Sequence, residues 1–182
     1  MIIKVIKPKN KDFEITFTNN DKIVVSEDIL VKYNLFKDKE INNLNEIYEE
    51  INIEKIYKKA RNYALYGRSI NQMKKYFEKH NITNNDYLIK RLEKEFLIDD
   101  EKIINTLLTK NYSKLKLRES LNKYLFEEEK ISLILEDYDE LSALNYCYNL
   151  VKNKYNNNQK LFRYLVQKGF NEELVKNLLN IF

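Results

Sequence analysis

The side chains able to do chemistry in this chain of 182 residues are few and scattered. His80 is its single histidine and Cys147 its single cysteine. A transition metal needs three or four ligands at short spacings, and neither residue sits in such a cluster. Nothing in the sequence pairs them as a nucleophile and its base. His80 reads instead as a cation near a helix end, where it can satisfy carbonyl groups. Cys147 reads as a small apolar residue turned into a core. Asp99 and Asp100 could be imagined as acid and base, or as ligands for Mg²⁺. Neighbours on a helix point about 100° apart, and no other polar group converges on them in sequence. Helix capping explains both better. With no glycine-rich phosphate loop and no Gly-x-Ser-x-Gly elbow, no catalytic residue, cofactor or metal is expected, and the chain reads as a non-enzyme.

Fourteen tyrosines leave one other chemistry open, because aromatic rings beside a basic groove can stack on nucleobases. Tyr57, Tyr63, Tyr66, Tyr76, Tyr87 and Tyr112 all lie in residues 55–123, which hold 17 Lys and Arg against 8 Asp and Glu. Residues 1–54 hold 8 Lys against 11 acids, and residues 124–182 hold 7 basic residues against 9 acids. The net charge of +4 therefore hides a basic middle that would attract a polyanion or an acidic protein surface. Lysine-rich helices are also ordinary solvated faces. Packing accounts for most of the tyrosines, since Tyr63 matches Leu107 and Tyr138 matches Phe96 in the periodicity described next. Tyr66 and Tyr112 have no such apolar equivalent in every unit.

The elements that must position these residues recur. Leu161 to Phe170 has counterparts at Leu117 to Phe126 and at Met73 to Ile82, a period of about 44 residues. The first and fifth positions are apolar each time: Met73 and Phe77, Leu117 and Leu121, Leu161 and Leu165. The ninth is Asn81, Leu125 or Gly169, and the tenth is Ile82, Phe126 or Phe170. This pattern predicts a short helix closed by a left-handed cap, with the following apolar residue folded back on the last turn. Leu125 departs from it, because a side chain resists positive φ. Ser69, Ser113 and Asn157 stand where each helix wants an N-cap oxygen. Upstream, Ala60, Ile104 and Tyr148 fall in register. Downstream, after a two-residue shift, so do Ile89, Ile131 and Val175, and then Phe96, Tyr138 and Phe182.

Each unit thus reads as three helices that bury their apolar faces partly against neighbouring units. The expected architecture is mainly α: three tandem three-helix repeats in a curved helical stack, preceded by a small antiparallel β-sheet. Its divisions are residues 1–52 (a β-meander plus short helices), 53–97, 98–138 and 139–182. In the first segment Ile3, Val5, Phe13, Ile15, Phe17, Ile23 and Val25 recur at period two between turn signals at Pro8-Lys9-Asn10 and Asn19-Asn20-Asp21. Ser26 should cap a short helix, and Asp38 a second one carrying Ile41, Leu44, Ile47, Tyr48 and Ile51 along one side. The polar run Asn156-Asn157-Asn158 connects helices of the last unit. Two glycines and one proline suit helices with short polar connections. No apolar run is long enough to span a bilayer, the amino-terminal stretch lacks the features of a signal peptide, and a lone cysteine excludes a disulfide framework. A monomer in the cytoplasm, away from membranes, is the expectation.

Several of these stretches together resemble the RecX family, regulatory proteins of the RecA recombinase. They are Ala60-Arg-Asn-Tyr-Ala-Leu-Tyr-Gly-Arg-Ser69, Met73-Lys-Lys-Tyr-Phe77, Phe96-Leu-Ile-Asp-Asp100 and Leu161 to Phe170. The resemblance covers residues 53–182 and, more weakly, the amino-terminal sheet. It implies a non-enzymatic protein lying in the groove of the RecA–single-stranded DNA filament, limiting its growth and suppressing ATPase and strand exchange. The family usually carries a longer basic segment before the Arg-Ser pair, where this chain has only Tyr66-Gly67-Arg68. For the binding surface the candidates are Arg61, Arg68, Lys74, Lys75, Lys90, Arg91, Lys114, Lys116 and Arg118. Contact with single-stranded DNA itself is left open. The alternative is a helical DNA-binding regulator acting independently of RecA.

Overall fold

The computed structural model describes residues 1–155 and 157–181. Two compact units make up the chain, residues 1–62 and 63–182.

In the first unit, strands β1 (Ile3–Lys9), β2 (Asp12–Phe17) and β3 (Lys22–Val25) form an antiparallel sheet in the order 1-2-3. The turn residues Asn10 and Asn20 take φ of 59° and 69°, the left-handed geometry asparagine tolerates. A register irregularity between Ile3 and Val5 leaves Val5 only half-buried, whereas Ile3, Ile15, Phe17, Ile23 and Val25 are buried as their alternation requires. They share a core with Ile29, Leu35, Ile41, Ile47 and Ile51. The exposed edge of β1 is covered: Asp38 N–H donates to the carbonyl of Ile3 (2.8 Å), and Ile3 N–H donates to that of Lys39 (3.0 Å). Ser26 caps α1 (Glu27–Lys32) as expected.

Asp38 starts no helix. It sits at φ 65° in this edge-covering segment, and the next helix, α2, begins later and spans Leu44–Ala64 without interruption. The break expected between residues 52 and 53 is therefore not a helix end. No glycine or proline occurs there to stop propagation, and Asn52 is carried within the helix rather than capping a new one, so the helix continues.

The second unit holds α3 (Ile70–Glu78), α4 (Asp86–Lys94), α5 (Asp100–Leu108), α6 (Lys114–Lys123), α7 (Glu128–Glu136), α8 (Glu140–Val151), α9 (Asn158–Gln167) and α10 (Glu172–Leu179). Helices α3, α6 and α9 are the recurring motif. Ser69 Oγ accepts from Gln72 N–H, Ser113 Oγ from Lys116 N–H, and Asn157 Oδ1 from Gln159 N–H. At the other end Asn81, Leu125 and Gly169 take φ of 61°, 60° and 88°. The next amide folds back each time: Ile82 to the carbonyl of Phe77 (3.0 Å), Phe126 to Leu121 (3.4 Å) and Phe170 to Leu165 (3.3 Å). Leu125 thus adopts the left-handed cap despite its side chain, because burying Phe126 requires that turn.

Leu125→Gly should accordingly raise stability by about 1 kcal/mol, the penalty an L-residue carries in this conformation. The signature is a higher urea midpoint at unchanged slope. A lower midpoint would mean that the leucine side chain contributes more by packing than its backbone costs.

Each later repeat has its own core. Ile104, Leu107, Leu117, Leu121, Phe126, Ile131 and Leu135 form one, and Leu144, Val151, Leu161, Leu165, Phe170, Val175 and Leu179 another. Tyr138 packs against both. Phe96, expected to match it in a core, is 93% exposed. Its φ of 55° ends α4 and turns Leu97 back instead, Leu97 N–H donating to the carbonyl of Leu92 (3.0 Å). The third member of that series, Phe182, lies outside the described residues, as does Asn156.

Candidate functional site

The repeats are joined through the same two atoms twice. Ser69 Oγ, besides capping its own helix, donates to the carbonyl of Tyr124 at the end of α6. Fifty-five residues separate the two. Ser113 Oγ makes the corresponding bond to Lys168 at the end of α9 (2.9 Å), across the same separation. Both hydroxyls are buried, so each is fully used as donor and acceptor. A carboxylate from the following repeat caps the same helix: Ile70 N–H donates to Asp100 Oδ1 (2.9 Å), and Lys114 N–H to Glu140 Oε1 (2.8 Å). The first joint has two further bonds, from Asn71 Nδ2 to the Leu125 carbonyl and from Gln72 Nε2 to the Lys123 carbonyl, both 2.8 Å.

Both aspartates of the Asp99-Asp100 pair are therefore caps, but of different helices. Asp99 accepts from Lys102 N–H at the start of its own helix (2.9 Å), while Asp100 reaches back to α3. Burial pushes the Asp100 carboxyl above its ordinary pKa, against the opposing pull of the Ile70 N–H bond and of Lys130. A raised pKa means that the folded state holds this proton more tightly than the unfolded chain. The stability contributed by Asp100 is then greatest when protonated, and falls as pH rises from about 4 through the folded pKa. Asp100→Asn keeps an acceptor for Ile70 N–H and buries no charge. Relative to that variant, the native chain should lose stability as pH rises through this window in urea titrations; a flat difference would contradict it.

Beside each joint opens a cleft. The first, of about 340 Å³, has a floor of Leu97, Ile103 and Leu107 and a rim carrying Arg68, Lys102 and Lys110. The second, of about 430 Å³, repeats it one unit on: Tyr112, Cys147 and Lys168 stand where the first has Arg68, Ile103 and Tyr124. Cys147 is half-buried at the margin of the third core, and desolvation raises its thiol pKa, so it is the apolar packing residue the sequence indicates. His80 is exposed with its ring 4.8 Å from that of Tyr76 at a tilt of 56°, a ring contact rather than the carbonyl-capping one expected. Among the described residues no group of three or more His, Cys, Asp and Glu is placed to hold a metal ion, and no helix is long and apolar enough to cross a membrane.

The nine basic candidates fall into different settings. Lys74 pairs with Asp86 (3.8 Å), Arg91 with Glu95 (3.5 Å), Lys116 with Glu119 (3.0 Å) and Arg118 with Glu128. These surface pairs leave the cations half in solvent and contribute little to stability. Lys75 and Lys90 are exposed, as is Arg61 on α2 of the first unit. Lys114 serves the joint through its backbone. Arg68 is set apart: its guanidinium lies 4.4 Å from the Tyr63 ring, which stacks on Tyr76 at 5.1 Å, and its buried Nε has no hydrogen-bond partner. The structure thus brings Arg68 together with Lys102 and Lys110, which the sequence pattern does not single out, because only the fold places α5 beside the Gly67 turn.

No protein-family model matches the chain. A curated relative named "Regulatory protein RecX" from Streptococcus pyogenes is 27% identical over an alignment of 199 positions, covering 99% of this chain and 76% of that protein. Another of the same name from Lactococcus lactis subsp. lactis is 26% identical, covering 90% of this chain and 64% of its own length. Among solved structures, a crystal structure of regulatory protein RecX superposes with a TM-score of 0.70 at 18% identity, covering 98% of both chains. In sequence along nearly its full length, and in fold, this chain is therefore similar to the RecX regulatory proteins, as its repeat motifs indicate.

Proposed function

We propose that this chain is a regulator of the RecA recombinase that binds the RecA–single-stranded DNA filament along its groove and mainly inhibits ATP hydrolysis, strand exchange and filament growth. The observation that carries this reading is the near full-length similarity to relatives named as RecX regulatory proteins. The basic segment 55–123 supports it further: its cations would meet filament carboxylates or DNA phosphates and set the encounter rate and salt sensitivity. Arg61, Arg68, Lys74, Lys75, Lys90, Arg91, Lys114, Lys116 and Arg118 are the residues proposed for that surface. The residue divisions expected from the 44-residue period are proposed as its three modules, and the protein acts as a monomer in the cytoplasm.

The test is the rate of DNA-dependent ATP hydrolysis by RecA with the purified chain added below stoichiometry. A slowed rate is expected, and an unchanged rate across a wide concentration range would remove the proposal. Titration onto single- and double-stranded DNA without RecA separates the remaining reading. Tight, salt-sensitive binding there, combined with an unchanged ATPase rate, would point to a DNA-binding regulator that works alone.

A further inference from the structure

Phe96 is a poor choice for the fold. The left-handed caps at Asn81, Asn111 and Asn180 use asparagine, which tolerates that geometry, and Phe96 gains nothing from burial in return for its φ of 55°. It does not stand alone. Leu65 and Tyr66, 68% and 78% exposed, flank the Gly67 turn, and Phe96 and Leu65 both line the first cleft. The second cleft has no such rim: Thr109 and Lys110 stand one period on from Leu65 and Tyr66, and Tyr138, the counterpart of Phe96, is half-buried against the two later cores. An apolar cluster confined to one of two equivalent clefts is not a by-product of the repeat.

The charge around it is ordered. Arg68, Lys102 and Lys110 line one side, with no ion pair among the described residues, and the one carboxylate beside them, Asp99, is occupied as a helix cap. Across Phe96 the lining becomes mainly acidic, with Glu93, Asp99, Asp100 and Glu101 against the cations Lys102 and Lys130. A nucleic-acid strand carries uniform negative charge and would meet these carboxylates within a Debye length of about 8–10 Å. A polypeptide can place its carboxylates on one side only. The apolar floor of Leu97, Ile103 and Leu107 also suits an aliphatic or aromatic side chain as a buried anchor.

We propose that the cleft at the first joint docks an acidic segment of a protein partner, which inserts one apolar side chain beside Phe96 and sets its carboxylates against Arg68, Lys102 and Lys110. The inference stands on this cleft and not on the RecA reading, so either can fail without the other.

The experiment is a fluorescence-anisotropy titration of the full chain with three labelled probes: a short Asp/Glu peptide with one central Phe, the same peptide with Ala in its place, and oligo(dT) of equal charge. The Phe peptide should bind at least about tenfold more tightly than the Ala peptide and than oligo(dT). Phe96→Asn, which suits the left-handed cap and keeps the chain folded, should weaken it about tenfold, as should Arg68→Gln combined with Lys102→Gln. Lys168→Gln removes one charge at the second cleft and should change nothing. Equal affinity for the two peptides, an unaltered Phe96→Asn variant, or no peptide binding would overturn the proposal. So would oligo(dT) binding that the Phe96 and Arg68 variants abolish, which would assign the cleft to nucleic acid.

Discussion

Gly169→Ala should destabilise the chain by about 2–4 kcal/mol, although it adds a single methyl group. The φ of 88° costs an L-residue about 1–2 kcal/mol. The added Cβ would also lie 2.7 Å from Ser113 Oγ and 3.3 Å from Leu115 Cδ2. Ser113 cannot retreat without releasing the Lys168 carbonyl and its own helix cap, and such an unmade buried bond costs about 1–3 kcal/mol. The two parts separate experimentally. Gly169→Asn relieves most of the backbone strain but keeps the Cβ, so it should recover only a fraction of the loss. A denaturant midpoint for Gly169→Ala within about 0.5 kcal/mol of the native chain would show that the joint is looser than its geometry indicates.

Ser69→Ala should cost a similar amount by a different route. The hydroxyl caps α3 through Gln72 N–H (3.1 Å), a contribution of about 0.5–2 kcal/mol, and it satisfies the Tyr124 carbonyl, worth about 1–3 kcal/mol if stranded. The expected total is about 2–4 kcal/mol, with Ser69→Thr retaining most of it because the hydroxyl remains. The unfolding transition should broaden as well. Repeats coupled by nearest-neighbour joints lose cooperativity when one joint weakens. Ser113→Ala should broaden it further, because the second joint lacks the bonds that Asn71 and Gln72 add to the first. Native-state hydrogen exchange would locate the uncoupled part, and a sharp single transition in both variants would contradict the argument.

What could be read from the sequence was what is local. Ser69, Ser113 and Asn157 cap helices because a cap acts within three residues, and the left-handed positions after them follow from the apolar residue that must fold back. The three strands are equally legible, since alternation and turn asparagines are short-range signals. Helix continuation through residues 52–53 was not, because two amphipathic stretches in register look the same joined or separate. Phe96 was misplaced for a related reason: spacing equates positions but does not report that one repeat ends its helix on a left-handed residue. The nine basic candidates were chosen by charge and outward placement. The cleft that gathers Arg68 with Lys102 and Lys110 depends on contacts between residues more than thirty positions apart, which no periodicity encodes.

The fastening of one repeat to the next ends on main-chain oxygens, those of Tyr124 and Lys168. A carbonyl is the same in every residue, so the receiving position can drift freely in identity, and an aromatic ring and an ammonium already occupy it here. Selection then needs to preserve only a hydroxyl on one side and a turn of the right hand on the other. An array lengthened by duplicating a 44-residue module would therefore arrive with its own connectors.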